Sequence, residues 1–275
     1  MTLSVNTNSN AMTALQYLNS TQAQMSTTQT AISTGMKVAS AKDDGATYAI
    51  AQNMRGNVAA YSSVTDSLSR GMSAVDTAMS AGQSISDLLV QMKAKALSAS
   101  DSSIDTASRQ ALNNDFTALR DQITTITKNA VFNGFNLVDG STTSITALAS
   151  TDGSRRITVA SQKMSLSGSI VTVKSTGTIS TAAKASTMIA TVQASLTNVG
   201  AALAKLSAGS KKYSIQMDFA SKLSDTLTSG IGNLVDANMA QESAKLTSLQ
   251  TKQQLGVQAL SIANQAPQTI LSLFQ

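Results

Sequence analysis

Asp43 and Asp44, adjacent carboxylates in the stretch SAKDDGA (Ser40–Ala46), are the pair most easily read as a general acid and base. That chemistry needs two carboxyl groups converging on one bond, and neighbouring positions on a helix do not face each other. Ser40 and Asp43 instead have the spacing of a capping box, with a carboxylate near the positive end of a helix dipole. The chain has no His and no Cys. This excludes Ser-His-Asp and Cys-His catalysis, disulfides, and zinc sites built on those residues. The sequence predicts no catalytic residue, no metal site and no cofactor.

The other chemistry on offer is positive charge. Lys and Arg outnumber Asp and Glu by 20 to 15, giving a net charge of +5. The basic residues are scattered: Arg155-Arg156 and Lys211-Lys212 are the only adjacent pairs, and no aromatic platform accompanies them. A basic rod that binds nucleic acid is therefore the weaker alternative, and no nucleic-acid partner is expected. No membrane partner is expected either, because the apolar tail is interrupted by Gln, Asn and Pro. The N-terminal stretch lacks the charged and apolar regions of a cleaved export signal, so export by another route is expected.

The elements that would carry any site are helices with weak seams. No charge occurs from Met1 to Met36 or from Gln253 to Gln275. Within the first stretch Ala11, Leu15, Leu18, Gln22, Met25, Gln29 and Ile32 alternate by four and three, a heptad-type seam. Towards the C-terminus Val235, Met239, Glu242, Leu246, Leu249, Gln253, Gly256, Leu260 and Ala263 keep the same alternation. The sequence then passes Pro267, an expected kink, to Ile270 and Phe274.

Between the ends, a helix from SAKDDGA to about Ser98 carries Met54, Val58, Tyr61, Leu68, Met72 and Val75 on one face. About 55 residues of helix span roughly 80 Å, so the Met stripe reads as rod core. SASDSSIDT breaks the pattern, and a second helix follows with Leu112, Phe116, Leu119 and Ile123. Asn133-Gly134 and Asp139-Gly140 are turn pairs. The Ser- and Thr-rich stretch to Thr181 holds the alternating runs RITVAS and SIVTVKS. A last long helix carries Val192, Leu196 and Leu203, with a weak point at Gly209, towards Ile231. The expected fold is mostly α: a long antiparallel helical hairpin or coiled-coil rod with a small β-hairpin insert and paired terminal helices. Its expected parts are residues 1–40 with 236–275, residues 41–140 with 182–235, and a surface-facing insert at 141–181.

Three stretches resemble one family, bacterial flagellin. ISTGMKVASAKDDGATYAIA (Ile32–Ala51) resembles its N-terminal signature, VFNGFNLV (Val131–Val138) its turn motif, and SLQTKQQLGVQALSIANQAPQTILSLFQ (Ser248–Gln275) its C-terminal signature. The resemblance implies a structural, non-enzymatic subunit, exported unfolded by the flagellar type III apparatus and assembled outside the cell into a homopolymeric filament. Its terminal coiled coil would line the inner layer. Implied partners are other copies of the chain, other flagellins of the same cell, an export chaperone, the filament cap and hook–filament junction proteins. A junction protein of the same axial family is the nearer alternative. For the Ser- and Thr-rich insert the resemblance also implies O-glycosylation, the alternative being a simply polar solvated loop. Ile85–Leu97 is similar to the stretch that animal flagellin-sensing receptors bind, with Gln91 and Lys95 where enteric-type flagellins carry Arg and Leu, which implies weak activation.

Self-packing accounts for the charge-free ends. In a helical polymer a charge near one subunit's end is repeated around a tight ring of copies, in a place where it is poorly solvated. By this reasoning Ala263→Asp blocks assembly, whereas Asp at Ala147, in the insert, is tolerated. Neither end buries enough apolar surface alone to offset its ordering entropy, so both are expected to order on assembly.

Overall fold

A computed structural model describes residues 7–271 as two compact units, one running up to Gly56 and again from Thr226, the other Asn57–Asp225. The boundary lies at Gly56 rather than residue 40 on the first side and at Thr226 rather than residue 236 on the second, further into the long helices than the sequence suggested. The first turns of the second helix belong with the terminal unit, because Ala51 is buried with Val38 and Val235, and Tyr48 and Ile231 pack on that cluster.

In the terminal unit, α1 (Ser9–Thr34) begins at an Asn8 cap, whose side chain accepts from the Ala11 amide. It ends at Gly35, which takes the left-handed conformation (φ 72) that a helix C-terminus favours. Met36 then bridges to Asp236, and the Lys37 amide donates to the Val235 carbonyl at 2.7 Å. The cap of α2 (Gly45–Ser100) is Asp44, which accepts from the amides of Ala46 and Thr47 and from the Thr47 hydroxyl. Ser40 does not start this helix. Its amide and hydroxyl donate to Asp43 at 2.9 and 3.0 Å, closing a separate turn just upstream.

The second unit is built from most of α2, α3 (Thr106–Asn129) and most of α4 (Ala182–Val235). Two antiparallel hairpins join them: β1 (Val131–Phe132) with β2 (Phe135–Asn136), and β3 (Ser144–Leu148) with β4 (Arg156–Ala160). Leu68, Val75, Ile85, Leu89, Met92, Phe116, Ile123, Val192 and Leu206 form one buried cluster. The insert is not a solvated loop laid over these helices. Ala147, Val159, Met164, Val171, Val173 and Ile179 are buried in the same cluster, which removes Ala147 as a harmless position for a charge.

Buried polar groups fix the insert and the turn that leads into it. The Asn113 carboxamide accepts from the Ile179 amide, the Ser195 hydroxyl accepts from the Thr172 amide, and Asn136 donates to the Thr127 carbonyl while accepting from the Val138 amide. Gly209 does not weaken α4, which is unbroken there. A Cβ on Gly209 would lie 2.7 Å from Val159, so the glycine is the slot into which β4 presses. Gly200, one helical face away, is exposed, and a Cβ there would meet nothing within 4 Å. The two should respond oppositely to alanine. Gly200→Ala is expected to stabilise the unit by about 0.5–1 kcal/mol through helix propensity. Gly209→Ala should destabilise it by about 1–3 kcal/mol through overpacking. Urea melts of the two variants read the signs, and a stabilised Gly209→Ala would contradict the close packing of β4.

Candidate interaction surface

The helix pair at the chain ends is the part of the molecule least satisfied by its own contacts. In α5 (Met239–Leu271) the expected stripe turns inward: Leu249 is buried, and Leu246, Gln253, Gly256, Leu260 and Ala263 are half-buried. Facing it on α1 are Ala11, Leu18 and Met25, as expected, but the alternate positions are Ala14, Thr21 and Thr28. Leu15, Gln22 and Gln29 are exposed one residue off this line. Ile32 is half-buried beside a buried Ala31. Ile270 lies in helical backbone with its side chain undescribed, and Phe274 is outside the described residues.

The pairing is antiparallel, with side-chain hydrogen bonds across an otherwise largely apolar seam. Asn8 donates from Nδ2 to the Ala263 carbonyl at 2.6 Å, and Gln253 Nε2 donates to Gln22 Oε1 at 2.7 Å. Leu18 sits against Gly256, where a Cβ would be only 3.4 Å from Leu18 Cδ1. Of all the described residues of α1 and α5, just Met25, Thr28, Ala31 and Leu249 are buried. The larger apolar side chains face out: Met12, Leu15, Tyr17 (71 % exposed), Leu255, Val257 and Ile262 (69 % exposed). A helix pair with no charge up to Thr34 or beyond Lys252 that leaves these large apolar side chains in solvent has burial still to make.

Sequence reasoning missed half of the α1 stripe because Ala14, Thr21 and Thr28 are small or polar. The signal was present: 11, 14, 18, 21, 25 and 28 alternate by three and four as regularly as the stripe that Leu15 suggested. Of the expected rod core, Met54 is half-buried in the terminal unit. In the second unit Leu68, Val75, Phe116, Ile123 and Val192 are buried, and Val58, Tyr61, Met72, Leu112, Leu119, Leu196 and Leu203 are half-buried. Gln91 is exposed on α2, while Lys95 is tied to Asp115 of α3 at 2.6 Å.

Asp44 and Asp105 act as helix caps. Hydrogen bonds from the Thr47 hydroxyl and amide hold Asp44 below the usual carboxylate range, and the Ser108 amide does the same for Asp105, the cap of α3. Among the described residues no three His, Cys, Asp or Glu side chains gather where they could hold a metal ion. Nor is any described helix long and apolar enough to cross a membrane.

Comparison with known proteins agrees with this architecture. The model of the bacterial flagellin N-terminal helical region matches residues 5–143, and that of the bacterial flagellin C-terminal helical region matches residues 189–274. Flagellin FljK of Caulobacter vibrioides is 52 % identical over 272 residues, covering 99 % of this chain and 98 % of the relative. A flagellin of Brucella melitensis is 36 % identical over 281 residues, covering 99 % of each. In fold, the crystal structure of Bacillus cereus flagellin is similar at a TM-score of 0.50 and 19 % identity, over 56 % of this chain and 88 % of that one.

Proposed function

This chain belongs to the bacterial flagellin family and is a structural subunit of the flagellar filament, and from that premise we infer that it polymerises through the exposed faces of α1 and α5. The observation that carries this reading is the set of large apolar side chains left exposed on the helix pair. Ile262, Leu255, Val257, Tyr17, Leu15 and Met12 project from two helices that carry no charge between Ser9 and Thr34 or beyond Lys252. Burying one Leu or Ile side chain is worth about 1.5–3 kcal/mol, so a lattice that covers several per subunit gains stabilisation that the single subunit lacks. Gln, Ser, Thr and Asn on the same surface keep it soluble before assembly and offer hydrogen bonds within it.

On this reading the seam residues Leu18, Met25, Leu249, Gly256 and Ala263 hold α1 to α5, and the exposed residues hold the pair to neighbouring copies. The subunit sits outside the cell with the terminal pair in the inner layer. It reaches that place through the flagellar export apparatus, meeting a chaperone on the way and the cap and junction proteins at the filament's two ends. Purified protein mixed with short filament seeds tests the reading. Growth to long filaments by electron microscopy, with copies far in excess of a single ring, is the expected result. Addition that stops after one ring would favour a junction protein, and no addition would remove the assembly surface altogether.

A further inference from the structure

Asn133-Gly134 is the one Asn-Gly pair in the chain, and it occupies the tip of the β1–β2 turn with both residues exposed and both at positive φ (47 and 83). A Cβ added to Gly134 would meet nothing within 4 Å. Among the described residues neither the Asn133 carboxamide nor the Gly134 amide has a hydrogen-bond partner. Other sites of related chemistry are held. Asn8 is fixed by the Ala11 amide and the Ala263 carbonyl, and Asn19 lies inside α1. The three Asp-Gly carboxylates are engaged as well: Asp44 by Ala46 and Thr47, Asp139 by Ser141, and Asp152 by Ser150 and Ser154.

A second feature meets this turn. Asn133, Phe132 and Phe135 line a cleft of about 440 Å³ together with Arg70 and Ser67 of α2. Arg70 is exposed and has no carboxylate partner among the described residues. The cleft thus pairs an unpartnered guanidinium with a neutral amide that a single hydrolysis would make anionic.

We propose that Asn133 is a site of spontaneous deamidation and that the carboxylate so formed is received by Arg70. The Gly134 nitrogen gives its proton to hydroxide and bonds to Cγ of Asn133, and the side-chain nitrogen leaves as ammonia. Water then opens the five-membered imide, giving aspartate or isoaspartate at position 133 with no change of oxidation state. The step needs the Gly134 nitrogen and Asn133 Cγ in bonding contact, which local opening of the turn permits. A ladder of two residues per strand opens at small cost. The aspartate product keeps the Val131↔Asn136 and Phe132↔Phe135 register. The isoaspartate product inserts an extra backbone carbon into a two-residue turn and loses that register.

Ageing the folded, full-length protein in mildly alkaline buffer, followed by peptide mapping, tests the chemistry. Position 133 is expected to become one mass unit heavier before any other Asn, with release of ammonia, and Gly134→Ala should slow the change several-fold. Asn133 surviving after helical asparagines have begun to react would overturn the proposal, as would an unchanged rate in Gly134→Ala. The Arg70 half is read from a double-mutant cycle on thermal melting. Arg70→Ala should lower the melting temperature of Asn133→Asp more than that of the unmodified protein, and strict additivity would refute the pairing.

Discussion

Ile262→Asp is expected to abolish seeded polymerisation while leaving the melting of the free subunit unchanged. Ile262 is 69 % exposed on α5, so in the monomer the new carboxylate is solvated and nothing packed is lost. In the lattice two costs add. The buried apolar side chain is missing, worth about 1.5–3 kcal/mol. Copies of the charge about 10 Å apart repel by roughly 1.7 kcal/mol per pair at an effective dielectric near 20. Together these raise the critical concentration by about a hundredfold or more, at tenfold per 1.4 kcal/mol. High salt recovers part of the electrostatic share only. Ala263→Asp is a poorer test, although the reasoning on charge applies to it equally. Ala263 is half-buried against α1 and its carbonyl accepts from Asn8, so that change disturbs the helix pair inside one subunit as well as between subunits. Thr176→Asp, exposed in the insert, is the matched control and should polymerise normally. Sedimentation of seeded mixtures gives the answer. Normal growth of Ile262→Asp would place the lattice contacts elsewhere.

What the sequence disclosed about this surface follows from the physics of each residue type. The α5 stripe was legible because Leu246, Leu249 and Leu260 mark it and the intervening Gln253, Gly256 and Ala263 hold the interval. The α1 stripe was half legible, because a search for apolar residues favours Leu15 over the smaller Ala14 and passes over Thr21 and Thr28. At these three positions the smaller side chain goes inside and Leu15, Gln22 and Gln29 are left exposed. Helix order, the β1–β2 turn and the β4 run RITVAS were legible from periodicity and from turn chemistry, but the partner strand β3 was not. SIVTVKS, expected to pair, forms no strand because its valines are buried singly against the helices. The burial of the insert was not. Its runs are short, its composition is Ser- and Thr-rich, and its anchors are single polar atoms such as Asn113 Oδ1 and Ser195 Oγ, which carry no periodic signal. The glycines that admit it, Gly82 against Met164 and Gly209 against Val159, look like weak points until the partner is placed.

Tyr213 shows how much of the second unit rests on one such placement, and Tyr213→Ala is expected to destabilise that unit by about 3–5 kcal/mol, the range for deleting a buried aromatic ring. The ring is fully buried, and a Cβ on Gly71 of α2 would lie 3.2 Å from it, so the absence of a side chain at 71 is what admits it. Its hydroxyl donates to the Ile145 carbonyl of β3 at 3.1 Å, with the Ile157 carbonyl of β4 at 3.4 Å. One residue of α4 therefore pins both strands of the hairpin. Tyr213→Phe keeps the ring and loses only the donor, costing about 0.5–1.5 kcal/mol. The pair of variants separates packing from hydrogen bonding. Burial pushes the phenol up to about 12, from an ordinary value of 10. The folded state thus favours the protonated form. That contribution is fully present below pH 10 and is lost as pH rises from 10 through 12. The Tyr213→Phe variant has no hydroxyl to titrate, so its stability gap from the native protein should narrow across that window. Urea melts of both proteins at neutral pH and at steps between pH 10 and 12 measure it. A gap that stays constant would mean the hydroxyl is solvated in the folded protein and does not hold the hairpin to α4.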